Sequence, residues 1–257
     1  SAEMTDLWSS ESKIIFEREL WIAVLETQVE LGIPIPKNAI ESYKEVAHDV
    51  DLESINRRER VTLHDVKARI EEFCELAGHE HIHKGMTSRD LTENVEQLQI
   101  RRSLLLVRSR VVAVLIKLTA LAVENAELVI TGRSHNVPAQ ATTLGKRFTN
   151  VGQELLLAFE RLDELIGRYP LRGLKGPVGT QQDLLDLFDG DEQKVERLEK
   201  AVAEKLDFNR TLVSVGQVYP RSLDLDVVSS LVQIGAAMGN LALQVRLMAG
   251  NDLVTEG

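Results

Sequence analysis

Asp90-LTENVEQLQIRRSLLLVRSRVVAVLIKLTALAVENAEL-Val129 contains neither proline nor glycine and reads as one continuous helix. At a rise of 1.5 Å per residue, such a helix is on the order of 60 Å long. Leu91, Val95, Leu98 and Leu105 keep one apolar stripe, whereas residues 111–116 are apolar on every side. A helix without a polar face is surrounded by other apolar surfaces, so this stretch predicts a bundle of long helices. No proline falls between residues 37 and 137, which leaves that span free of helix breakers.

A second long helix is predicted from Pro138 to Arg168, with Phe148, Val151, Leu155, Phe159 and Leu162 at helical spacing. Pro138 suits its first turn, where a missing N–H costs nothing. A third runs from Ser222 to Ala249 through Val227, Leu231, Ile234, Met238, Leu241 and Val245. Shorter helices are expected over residues 10–31, 38–48, 52–59, 63–77 and 191–205, and strands are scarce. The fold class is therefore all-α: a small N-terminal helical domain, residues 1–85, followed by a long-helix bundle, residues 86–257. Apolar surface on several sides of three helices implies that the bundle continues into other chains.

Composition agrees. Hydrophobic residues make up 44% of the 257 and aromatic residues only 4%, so the core is built from Leu, Val, Ile and Ala. A net charge of −10 without a long basic run argues against nucleic-acid binding. Cys74 is the only cysteine, which excludes an intramolecular disulfide and fits the cytoplasm. Neither a secretory signal nor a membrane span is recognised, because Lys117 and Glu124 interrupt the apolar run at residues 111–116. His79, His81 and His83 alternate, which does not place them on one helix face, and no Cys or carboxylate set completes a metal site. No nucleotide-loop, dinucleotide or zincin motif occurs, so no cofactor is implied.

Two polar stretches carry candidate chemistry. Gly132-Arg-Ser-His-Asn-Val-Pro-Ala-Gln-Ala-Thr-Thr-Leu-Gly-Lys-Arg-Phe148 puts His135 just ahead of the predicted helix, with Thr142, Thr143 and Lys146 in its opening turns. Free N–H groups and a partial positive charge at a helix start suit an anionic ligand. An imidazole beside one is placed to pass a proton near neutrality; a capping loop with an incidental histidine is the plainer alternative. Gly85-Met-Thr-Ser-Arg-Asp90 is a second polar turn at the head of a long helix.

These two stretches recur in order with His64-Asp-Val-Lys-Ala68, Arg172-Gly-Leu-Lys-Gly-Pro-Val-Gly-Thr180 and Gly216-Gln-Val-Tyr-Pro-Arg221. In that order they resemble the fumarase/aspartase superfamily, and within it the wording is most similar to the adenylosuccinate lyases. The resemblance implies elimination of fumarate from adenylosuccinate, giving AMP, and from the succinylcarboxamide ribotide SAICAR, giving AICAR. It covers a little over half of such an enzyme, whose signature loop and C-terminal domain lie beyond the equivalent of Gly257. Other fumarate-releasing lyases, such as argininosuccinate lyase, and a helical oligomerisation module without activity are the alternatives.

The resemblance implies roles residue by residue. His135 corresponds to the general acid; the base is a serine in the signature loop. His64 and Asp65 match a His-Asp pair that contacts substrate, although each also reads as a helix cap. Thr87 and Ser88 match a turn that holds a substrate carboxylate, and Gln217 an amide that binds substrate. Leu63 stands where the family usually has arginine, which removes a cationic contact. The resemblance also implies a homotetramer acting on a small purine nucleotide, while cysteine count, charge and the lack of a recognised span give the expectation of a cytoplasmic protein with no nucleic-acid or membrane partner.

Overall fold

The computed structural model describes residues 1–250. In chain order it comprises α1 (Ala2–Leu7), α2 (Ser10–Glu30), α3 (Lys37–Glu45), α4 (Leu52–Thr62), α5 (Asp65–Ala77), α6 (Ser88–Glu124), β1 (Val129–Ser134), β2 (Val137–Thr143), α7 (Leu144–Arg168), α8 (Gln182–Leu187), α9 (Glu192–Lys205) and α10 (Ser222–Gly250). The all-α class and three long helices are as the spacing predicts, but α6 ends at Glu124, short of Val129, and α7 begins at Leu144, beyond Pro138. The chain divides into two compact units: Ser1–Ser103 with Arg168–Pro220, and Leu104–Gly167 with the stretch from Arg221 onward. Gly85, where the sequence suggests a domain boundary, lies inside the first unit.

The first unit combines an apolar core with a buried charged seam. Leu20, Trp21, Tyr43, Phe73, Leu91 and Leu98 are almost fully buried. Between α2 and α5, Arg69 bonds Glu17, and Arg18 donates to Glu72 at 2.6 Å, so adjacent residues of α2 carry opposite signs and select their partners by charge. The Arg18 guanidinium also lies 4.6 Å from the centre of the Phe73 ring, within cation–π range. Helix starts are capped locally: the Asp51 carboxylate accepts from the Ser54 N–H, and that of Asp191 from the Lys194 N–H.

The second unit has an aliphatic core in which Val111 and Leu118 of α6 meet Val151 and Leu155 of α7 and Ala237 of α10. Its departure from expectation is residues 129–143, which form an antiparallel hairpin rather than a helix start. His135 and Asn136 occupy the two-residue turn with φ of 52° and 64°, the signature of a type I′ turn whose twist suits a hairpin. Val129, Ile130, Thr131, Val137, Thr142 and Thr143 supply β-branched strand residues on both arms. Pro138 therefore sits in a strand, and α7 begins at Leu144. The Thr143 hydroxyl caps it by accepting from the Lys146 N–H at 3.1 Å.

The hairpin base is clipped to the end of α6. Leu144 N–H donates to Leu128 O, and Gly145 N–H to Asn125 O, both at 2.9 Å. A Cβ at Gly145 would lie 2.4 Å from Ala122 O and 2.9 Å from Asn125 O, so only glycine allows this approach. α10 is the one helix among the described residues long and apolar enough to cross a membrane by length and composition. Its buried residues are few, Val227, Ser230, Ala237 and Met248, while Leu225 and Val232 are 68% and 63% exposed.

Gly145→Ala is expected to cost about 1–3 kcal/mol through forced backbone movement, read as a lower denaturation midpoint for the second unit. An unchanged midpoint would contradict the close packing of the hairpin base.

Candidate active site

His64 precedes α5 in extended backbone, with φ −149°, and caps it with its ring: Nδ1 accepts from the Lys67 N–H at 3.2 Å. A neutral imidazole that accepts at Nδ1 carries its proton on Nε2. That nitrogen lies 3.4 Å from Ser88 Oγ at the start of α6, so the cap also orients the ring toward the second polar turn. His64 itself is exposed. Leu63, just before it, has φ 52° and is 88% exposed, an apolar side chain on strained backbone. Asp65 is bonded to Arg69, which also binds buried Glu17. Burial pushes the Asp65 carboxyl up, but the Arg69 charge, the Val66 N–H and nearby cations outweigh it and hold the carboxyl below its usual value.

The Thr87–Ser88 turn is held from beneath by Asp90. One Asp90 oxygen, Oδ2, accepts from the Thr87 N–H at 2.9 Å. The other, Oδ1, accepts from Arg172 Nη1 at 2.6 Å and from the N–H groups of Lys175 and Gly176 at 2.8 and 3.1 Å. Both side chains are fully buried. Arg172 also donates to the carbonyls of Gly173, Gly176 and Gly216. Farther along α6, Asn94 brackets Gly173 through both its N–H and its carbonyl, and Gln97 bonds Pro170 O and the Arg172 N–H. Glu93 accepts from the Tyr219 N–H at 3.1 Å.

The segments pinned in this way need unusual backbone. Gly173, Gly176 and Gly179 have φ of 85°, 74° and 87°, and a Cβ on Gly179 would lie 2.0 Å from Val215 O. Gln217 follows Gly216 directly and is exposed. His64, Thr87, Ser88 and Gln217 thus belong to the first unit, with the Asp90–Arg172 pair bonded to the backbone of both the Thr87 turn and the Gly216 loop. Asp90, Asn94, Gln97 and Arg172 were not singled out from the sequence. Their signal is legible in retrospect, since residues 90, 94 and 97 are polar at helical spacing beside the apolar stripe of Leu91, Val95 and Leu98.

His135 belongs to the second unit. It is exposed at the hairpin turn, where Arg133 Nη1 donates to Asn136 O at 2.9 Å. The start of α7 is nine residues beyond it, so His135 does not stand at a helix mouth as the Pro138 reading implied. Lys146 is bonded to Asn150, and Arg147 donates to Thr131 O on β1.

The three alternating histidines have separate surroundings. The rings of His79 and His81 stack at 6.0 Å, whereas His83 accepts from Trp21 Nε1 at 3.0 Å. Burial, opposed by the charge of Asp90, lowers the His83 pKa to about 4.

A family profile described as "Lyase" matches residues 4–251, and the chain belongs to that family. By sequence it is similar to adenylosuccinate lyases. It is 34% identical to the adenylosuccinate lyase of Schistosoma mansoni, covering 100% of this chain and 54% of that protein. Against that of Saccharomyces cerevisiae the identity is again 34%, with the same coverage. The chain spans about half the length of the curated relatives it matches. A crystal structure of fumarate lyase from Mesorhizobium sp. BNC1 shares the fold with a TM-score of 0.83 at 23% identity, over 98% of this chain and 58% of that one.

The His83 ring sets a pH dependence. Its proton is bound more weakly in the folded chain, at about 4, than at the ordinary value of 6.5. Unfolding therefore takes up a proton as pH falls between those values, and stability declines with it, by about 3 kcal/mol at most. Denaturant titrations between pH 7 and pH 4 are expected to show this decline reduced in His83→Gln; equal slopes in the two proteins would contradict it.

Proposed function

We propose that this chain carries part of the active site of a carbon–nitrogen lyase that eliminates fumarate from adenylosuccinate and from SAICAR. The observation that carries the proposal is the similarity to adenylosuccinate lyases along the whole chain, joined to the placement of His64 3.4 Å from Ser88 in the motifs that carry the resemblance.

In this chemistry a base removes the proton beside a carboxylate, and the electron pair is held as an aci-carboxylate. The carbon–nitrogen bond then breaks while a general acid protonates the departing nitrogen. Stabilising the doubly charged carboxylate is the larger electrostatic task. The hydroxyls of Thr87 and Ser88, the Ser88 and Arg89 N–H groups at the start of α6 and the Nε2–H of His64 are donors suited to it. Asp65 steadies that end of α5 through Arg69, and Gln217 offers an amide for the rest of the substrate. His135 is assigned as the general acid. Its place on an exposed two-residue turn suits a group that must reach a ligand.

Assembly is part of the proposal. The exposed apolar residues of α10, together with Leu156 and Leu157 of α7 and Ile116 of α6, need cover, and a homotetramer with shared central helices supplies it. The same cover accounts for α10 as a bundle helix of a cytoplasmic enzyme rather than a membrane span.

The test is fumarate release from adenylosuccinate by the full-length protein, followed by absorbance. Activity is expected there and not from the 257 residues alone, because the resemblance assigns the base to a loop outside them. His135→Ala is expected to keep the tetramer by light scattering and to lower kcat by about 10²–10⁴. A near-normal rate in that variant would remove His135 from the acid role.

A further inference from the structure

The geometry points to Asp90 and Arg172 as a positioning pair that holds the Thr87–Ser88 turn and the Gly216–Gln217 loop in one fixed arrangement. The inference rests on the reading of Thr87, Ser88 and Gln217 as substrate contacts and adds residues that touch no substrate themselves.

Three features support it. First, the bonds of the pair are made inside the protein: both η nitrogens of Arg172 are engaged, and only its buried Nε lacks a partner. Asp90 receives the Thr87, Lys175 and Gly176 N–H groups besides Arg172, and both side chains are fully buried. Second, its bonds end on two segments far apart in sequence. Asp90 Oδ2 holds the Thr87 N–H at 2.9 Å, and Arg172 Nη2 holds Gly216 O at 2.9 Å, next to Gln217. Moving either loop breaks a bond to the same ion pair. Third, the job requires a guanidinium. Nη1 serves Asp90 and Gly173 O while Nη2 serves Gly176 O and Gly216 O, a planar fork that lysine cannot reproduce.

The pair also balances charge where it matters. An unpaired Asp90 carboxylate beneath the turn would oppose an anion bound to Thr87 and Ser88. Arg172 cancels it and leaves the positive end of α6 effective.

The test compares fumarate dissociation constants, by equilibrium dialysis with labelled fumarate, for the full-length protein and two variants. Arg172→Lys keeps the charge but loses the fork. Ile55→Val removes one methylene from the separate cluster of Ile14, Ile55 and Ala68 and serves as the control for lost stability. Arg172→Lys is expected to bind fumarate about tenfold or more weakly, the scale on which small misplacements act, while Ile55→Val stays within about twofold. If Arg172→Lys does not fold, Asp90→Asn, of equal size with one acceptor oxygen kept, carries the same expectation.

Wild-type affinity in the folded pair variant, or equal weakening in the control, would overturn the inference, as would an absence of fumarate binding by the unmodified protein. Because the readout needs no turnover, failure to cleave adenylosuccinate would defeat the proposed activity while leaving this test intact.

Discussion

A single buried ion pair organises the polar half of this chain. Asp90 and Arg172 lie fully out of water at 2.6 Å, an arrangement whose desolvation cost is met only when the remaining donors and acceptors find partners. Most do so on backbone: Thr87, Lys175 and Gly176 on the acid, and Gly173, Gly176 and Gly216 on the base. Loops without regular structure thereby acquire the definition that a helix or sheet would otherwise supply. Losing one partner of such a pair costs about 3–5 kcal/mol, so the loops cannot drift independently.

The two compact units use different physics. The first packs charged residues inside, Glu17 and Arg18 against Arg69 and Glu72, and Lys175 against Glu199 at 2.7 Å. Directional bonds of this kind fix where side chains point, which suits a region that presents His64, Ser88 and Gln217. The core of the second unit is aliphatic, with Val111, Val151 and Leu155 at its centre. Apolar packing is non-directional, and it suits long helices that supply bulk.

The helices were legible because their signals are local. Proline spacing, the Leu91–Val95–Leu98 stripe and the run at residues 111–116 each speak for themselves. The hairpin was not, because Pro138 is equally at home in a helix's first turn and on an edge strand. The deciding cue was the pair of positive-φ residues His135 and Asn136, which the sequence shows only as two polar letters. The candidate contacts His64, Asp65, Thr87, Ser88 and Gln217 came from motif resemblance, which marks residues that meet a ligand. Asp90 and Arg172 stayed hidden because their partners are 82 positions apart, and a polar stripe on a helix reads as solvent-facing until something is found to cover it.

The most direct test is a crystal structure of the full-length protein with fumarate bound. One fumarate carboxylate is expected within hydrogen-bond distance of the Thr87 and Ser88 hydroxyls, with His64 Nε2 beside it and the Asp90–Arg172 pair intact. Fumarate bound elsewhere, with the Thr87–Ser88 turn empty, would contradict this expectation.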